Sequence, residues 1–160
     1  MIQIRLICVG KMKEKFYIEA FSEYTKRLRP YCRFDCVELA EQRLGDSPSE
    51  KEISSALRKE AAEIVKYIPG DAYTVAMCIE GKELASEAMA GLIAERENSG
   101  RPRLCFIVGG SFGLDAELKT RADLRLSMSR MTFPHHLARV MLAEQIYRGF
   151  KINEGSRYHK

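Results

Sequence analysis

Leu104-Cys105-Phe106-Ile107-Val108-Gly109-Gly110-Ser111-Phe112-Gly113 is the stretch from which the fold reads outward. Leu104 to Val108 is an unbroken apolar run, short and bounded by glycine, and so reads as a strand buried on both faces. Such strands belong to mainly parallel sheets with helices on both sides. The glycines that follow fall where open α/β sheets bind ligands, beyond the carboxyl ends of the strands. Their G-G-x-x-G pattern is neither the dinucleotide fingerprint nor the P-loop, and no G-K-[ST] follows. A tight turn without a ligand reads equally well from it.

The flanking sequence repeats the alternation of strand and helix. Ile2–Val9 reads as a first strand ending at Gly10, and Glu14–Leu28 as an amphipathic helix stopped before Pro30. Phe34–Leu39 reads as a second strand, and Ala40–Glu52 as an exposed polar loop. Ser49 followed by Glu52 predicts a capping box opening a helix to about Tyr67. Tyr73–Ile79 reads as a strand, Leu84–Arg96 as a helix, Ala116–Arg121 as a short helix and Leu124–Met128 as a short strand. Pro134 opens a last helix to about Phe150, leaving Lys151–Lys160 as a polar tail. The expectation is one α/β domain over residues 1–160.

Composition narrows the function without naming it. The formal net charge of +4 is too small to diagnose nucleic-acid binding, but it is uneven. Seven Lys or Arg lie between Lys11 and Arg33 against Glu14, Glu19 and Glu23, and the C-terminal end is basic again. A phosphate-rich partner and ordinary solvated helix faces both explain this. The five cysteines, an odd number without zinc-site spacing, read as reduced thiols. With no secretory signal and no membrane-length apolar run, a soluble, cytoplasmic protein is expected.

Three further stretches are candidates for chemistry. Ser127-Met128-Ser129-Arg130-Met131-Thr132-Phe133-Pro134 is a strand end running into a small, polar, proline-stopped loop. It can offer backbone donors and acceptors to a flat heterocycle such as adenine, or simply connect a strand to a helix. His135 and His136 point about 100° apart on a helix and make a poor metal pair. His135 suits the mouth of a site, or serves no function as an N-terminal helix residue. The last helix is apolar over most of its circumference, which requires burial on two sides, one of them plausibly a partner subunit. On it, Arg139 stands alone beside the loop, while Glu144 and Arg148 are spaced to pair. The tail Asn153–Lys160 is basic and aromatic, fit for stacking on bases or for solubility alone.

Together these pieces resemble a known family. Ile79-Glu80-Gly81-Lys82, Phe106–Gly113, the P-H-x-L-x-R-V-x-x-A-E-x-x-Y-R pattern of Pro134–Arg148 and the closing Arg157-Tyr158-His159-Lys160 follow in order. This closely resembles the RlmH (YbeA-type) large-subunit ribosomal RNA methyltransferases of the SPOUT superfamily, essentially end to end. The resemblance implies an α/β fold with a C-terminal trefoil knot, an exception to the rule against threaded chains. It implies a homodimer that uses S-adenosylmethionine to methylate ring nitrogen N3 of a pseudouridine in 23S ribosomal RNA on the assembled ribosome. Neither a metal nor a membrane is expected to take part.

Carried over by position, the cofactor contacts fall on Met77, Gly109, Met128, Ser129, Arg130, Met131, Thr132 and Phe133. Met77-Cys78 stands where some relatives have Leu-Asp, and Ser111-Phe112 where some have Pro-Glu; backbone contacts are expected to survive both. A sulfonium methyl is already activated, so the enzyme must align donor and nucleophile and favour the ionised base. Arg139, with the partner's Tyr158 and His159 completing the site, is expected to do this, with His135, Arg157 and Lys160 holding the RNA. Two rivals remain: a nucleotide-binding α/β enzyme using Gly109-Gly110 for phosphates, and a non-catalytic ribosome-binding module.

Overall fold

Alternation along the strands sends successive side chains into two separate cores. Ile4, Leu6 and Cys8 join one cluster and Ile7 and Val9 the other, while Leu104, Phe106 and Val108 part from Cys105 and Ile107 in the same way. The sheet is therefore covered on both faces, as its unbroken apolar runs require. The computed structural model describes residues 1–159; Lys160 and the side chain of His159 lie outside the described residues.

The elements are β1 (Gln3–Val9), α1 (Lys15–Leu28), β2 (Arg33–Leu39), α2 (Glu50–Tyr67), β3 (Tyr73–Glu83) and α3 (Ser86–Glu97). They continue as β4 (Arg103–Val108), α4 (Ala116–Arg121), β5 (Leu124–Ser127), α5 (His135–Asn153) and a 3-10 turn at Arg157–His159. The strands form one five-stranded sheet in the order β2-β1-β4-β3-β5. Every strand pairing is parallel. Leu28, Met89, Ile93, Leu142, Ile146 and Phe150 put α1, α3 and α5 on one face; Ile64 and Leu118 put α2 and α4 on the other. Each fully buried aliphatic side chain contributes about 1.5–3 kcal/mol. The capping box at α2 forms as expected: Glu52 N–H donates to Ser49 Oγ at 3.1 Å, and Ser49 N–H to Glu52 Oε1 at 3.3 Å.

Two elements differ from their reading in the sequence. β3 does not stop at Ile79: Met77 and Lys82 both pair with Leu126, so the chain swings out over 78–81 and rejoins β5. Gly81 makes the return possible, because a Cβ there would lie 2.7 Å from the Arg125 carbonyl carbon. The C-terminal segment is also less tail-like than its polarity suggests. α5 runs on to Asn153, whose side-chain amide donates to Ala90 O at 2.9 Å. It ends in a Schellman cap, with Gly155 N–H bonded to Ile152 O and Ser156 N–H to Lys151 O, each at 2.9 Å.

Gly81→Ala is expected to lower the unfolding free energy by about 1–3 kcal/mol, because β5 backbone must move to admit the methyl group. Gly45→Ala, which meets open space, is expected to stay within about 0.5 kcal/mol. Urea denaturation of both variants measures the difference.

Candidate active site

With every strand parallel, all five carboxyl ends point to one edge of the sheet, where crossover connections leave room for a ligand. Between the β3 excursion, the turn after β4 and the loop after β5 lies a cavity of about 670 Å³. Met77, Gly109, Met128, Ser129, Met131, Thr132 and Phe133 line it, together with His135 from the first turn of α5. Arg130 does not; its side chain is 96% exposed and lies 3.7 Å from Glu83. Cys78, Ile79, Phe112 and Leu114 add to a largely apolar wall. Glu80 and Lys119 in that wall are tied to each other at 2.5 Å, and the ammonium holds the carboxyl below its ordinary pKa.

The two loops facing the cavity are pinned by short-range bonds. Gly109 lies directly on Gly113, where a Cβ would come within 2.3 Å of the carbonyl oxygen, so a side chain cannot fit. Gly113 N–H closes the turn on Gly110 O at 3.1 Å. In the loop after β5, the Ser127 hydroxyl donates to Ser129 O at 2.9 Å, and Met131 N–H donates to Ser129 Oγ at 3.1 Å. The serines thus supply partners that a strand would otherwise provide.

Glu41 is the residue that local pattern missed. It belongs to the polar 40–52 stretch, yet its Oε1 accepts from Ser111 N–H at 2.7 Å, latching the glycine turn from the side. The neighbouring Gln42 N–H donates to the buried carboxylate of Glu60 at 2.8 Å, which anchors the latch to α2. The only advance notice was a glycine turn with amides in need of acceptors.

Arg139 does not stand alone. Its side chain is 1% exposed and donates to Glu38 Oε2 at 2.6 Å and to Gly10 O at 2.9 Å. Glu38 Oε2 also accepts from Met12 N–H at 2.9 Å. Burial pushes the Glu38 carboxyl up in pKa, but the Met12 amide and the guanidinium outweigh it and hold it below the ordinary value. Arg139 Nε and His136 Nε2 are buried without a partner among the described residues. His136 Nδ1 lies 3.3 Å from Glu14, and the ring centroids of His135 and His136 are 4.2 Å apart. Burial, helped by His136, lowers the pKa of His135 and favours its neutral form. Among the described residues no three His, Cys, Asp or Glu gather as a metal site.

Of the basic tail, Arg157 and Tyr158 do not line this cavity in their own chain. Tyr158 stacks edge-on against Tyr147, with centroids 5.0 Å apart, and Arg148 sits over its ring at 4.9 Å. Its hydroxyl lies 3.3 Å from Glu144, which pairs with Arg148 at 2.7 Å as their spacing foretold. Arg157 begins the same 3-10 turn, while the side chain of His159 and all of Lys160 lie outside the described residues. Arg139 and Tyr158 are thus separated along α5 within one protomer.

Glu38→Ala strands the buried guanidinium with only Gly10 O, and is expected to cost about 3 kcal/mol in urea denaturation. Because the Glu38 pKa is depressed in the folded chain, its contribution is complete at neutral pH and lost as pH falls through that lowered value. The stabilities of wild type and variant should converge in acid.

Comparison with known proteins places this geometry in a family. A family model described as a predicted SPOUT methyltransferase matches residues 2–159. The chain is 46% identical to the ribosomal RNA large subunit methyltransferase H of Clostridium beijerinckii, over 99% of this chain and all of that one. It is 46% identical to the protein of the same name from Bifidobacterium adolescentis, with the same coverage. It is 44% identical to a putative one from Methanococcus maripaludis, again over 99% of this chain and all of that one. The fold is shared with two solved structures at 13% identity and a TM-score of 0.54. One is a probable methylase family protein from Haemophilus influenzae, matched over 100% of this chain and 72% of that one. The other is a tRNA (m1G37) methyltransferase from Aquifex aeolicus, matched over 91% and 69%. No helix among the described residues is long and apolar enough to cross a membrane. A parallel sheet whose late loops wall a ligand-sized cavity, matched end to end by these relatives, belongs to the SPOUT methyltransferase family, in the group named ribosomal RNA large subunit methyltransferase H.

Proposed function

We propose that this chain transfers a methyl group from S-adenosylmethionine to ring nitrogen N3 of a pseudouridine in 23S ribosomal RNA, acting as a cytoplasmic homodimer on the assembled ribosome. The observation that carries the reading is the cavity of about 670 Å³ at the carboxyl edge, walled by the glycine turn and the serine-pinned loop. Its lining suits an adenosyl sulfonium: apolar side chains from Met77, Met128, Met131 and Phe133 for the flat base, and backbone edges at Gly109 and along 128–133 for its polar rim. The site does not suit a nucleotide phosphate. Glu41 already places a carboxylate on the Ser111 amide of the glycine turn, and Lys119 is neutralised by Glu80. A phosphate in that turn would meet a negative charge where the P-loop offers donors.

When bound, S-adenosylmethionine supplies a methyl group already activated on a positive sulfur. Met77, Gly109, Met128, Ser129, Met131, Thr132 and Phe133 would hold it, with Arg130 reaching it from the same loop. The protein then has to position the base and favour loss of its N3 proton. His135 lines the mouth, and its lowered pKa keeps the imidazole neutral and able to accept a hydrogen bond. Arg139 acts through Gly10 and the first turn of α5, as a positioning residue for that mouth.

The partner subunit completes the site in this reading. A largely apolar groove of about 510 Å³, bordered by Tyr24, Met89, Val140 and Met141, lies open along α5 and supports a dimer face there. Tyr158 lies along α5, away from its own cavity, so Arg157, Tyr158, His159 and Lys160 would serve the neighbouring protomer. The trefoil threading belongs to the same reading.

Calorimetry should show heats of binding with S-adenosylmethionine and S-adenosylhomocysteine and none with ATP. Labelled methyl groups should enter 23S RNA when the donor is given to ribosomes from a strain lacking the protein, and not when it is given to naked RNA. Binding of ATP would favour a phosphate-binding enzyme; ribosome binding without either cofactor heat or label would favour a non-catalytic module.

A further inference from the structure

The loop after β1 and the first residue of α1 carry three exposed lysines, Lys11, Lys13 and Lys15. Lys11 and Lys13 are exposed and form no ion pair among the described residues. Lys15 is 89% exposed and reaches Glu19 only at 3.8 Å. Between the first two, Met12 is buried and bonded through its amide to Glu38, so the two lysines are turned outward by their anchored neighbour. At the start of α1, Phe16 is 64% exposed, and its ring meets that of Tyr17 with centroids 4.4 Å apart.

Three nearby acids are held by other partners. Glu14 is drawn to His136, Glu38 to Arg139 and Met12 N–H, and Glu41 to Ser111 N–H. These contacts occupy three carboxylates; Lys11 adds to the field that lowers the Glu38 pKa, yet neither Lys11 nor Lys13 forms a close ion pair among the described residues. The same contacts fix where the loop sits. Arg139 holds Gly10 O, and a Cβ on Gly10 would come within 3.4 Å of His135 Nε2, in the residue that walls the cavity mouth. Arg130, in the loop after β5, is 96% exposed.

We propose that Lys11, Lys13, Lys15 and Phe16 form the RNA-docking surface of the enzyme, seating the ribosomal RNA backbone beside the cavity mouth while Phe16 stacks on an unpaired base. This rests on the proposed function for its substrate and adds the surface that receives it. Lysines meet phosphates as point charges and release counterions, which makes the contact steeply salt-dependent. An exposed aromatic ring next to them provides a stacking platform indifferent to base identity. The buried Arg139–Glu38 pair is what gives this short loop a defined position relative to the reacting base.

The test compares the double variant Lys11→Glu/Lys13→Glu with Lys51→Glu/Lys59→Glu, which makes the same charge change on α2, across the sheet. Co-sedimentation with ribosomes measures docking without requiring turnover, calorimetry measures S-adenosylmethionine affinity, and methyl transfer gives KM and kcat. The loop variant should weaken ribosome binding and raise KM about tenfold or more, flatten the salt dependence by about two in log–log slope, and keep its donor affinity within twofold. The α2 variant should match wild type in all of these. Phe16→Ser should weaken docking about fivefold or more without changing the salt slope. Equal docking by the two double variants, or no ribosome binding by the wild type, overturns the proposal. A docking difference that persists while the wild type transfers no methyl group supports the surface and overturns the assigned reaction instead.

Discussion

A guanidinium buried at the seam of three elements sets the geometry of the functional edge. Arg139, near the start of α5, is paired with Glu38 at the end of β2 and bonded to the carbonyl of Gly10 just beyond β1. Taking a cation out of water costs several kcal/mol unless charge and hydrogen bonds replace the solvent. Here both do so at the two terminal nitrogens, and the compensation works only if all three segments keep their places. The first turn of α5, with His135 on the cavity wall, is therefore coupled to the basic loop after β1. An ion pair of this kind adds little net stability, but it strongly penalises any rearrangement that separates its partners.

The glycine turn shows a second use of fixed charge. Backbone amides released by a tight turn commonly attract anions. In this chain the Glu41 carboxylate takes the Ser111 amide, so the turn offers shape and backbone edges without a positive field. The cavity beside it is largely apolar, and the Lys119 ammonium in its wall is matched to the Glu80 carboxylate. Such an environment accommodates a flat base and a compact positive centre better than a triphosphate.

The fold was largely legible because its strongest determinant is local: runs such as Leu104–Val108 are apolar at every position, and only a sheet covered on both faces hides all of them. What escaped the sequence depends on distant partners. Gly81 looked like the end of β3, since a glycine after an apolar run reads as a breaker; its real role, close approach to Arg125, needs β5 alongside. Arg139 looked unpaired because Glu38 lies 101 residues away, and Glu41 looked solvated because Ser111 lies 70 residues away. Tyr158 looked free in a polar tail, while α5 provides Tyr147 and Arg148 to hold it. The residues lining the cavity were nameable in advance by resemblance; the contacts that hold those loops in place were not.

If those loops form the methyl-donor site, occupancy must protect their backbone amides. Hydrogen–deuterium exchange with and without S-adenosylmethionine reads this directly. The account predicts slowed exchange concentrated in 109–113 and 128–134, with a smaller effect at 10–14 transmitted through Arg139. Unchanged exchange in both loops at saturating donor, or protection confined to the α2–α4 face, would contradict it.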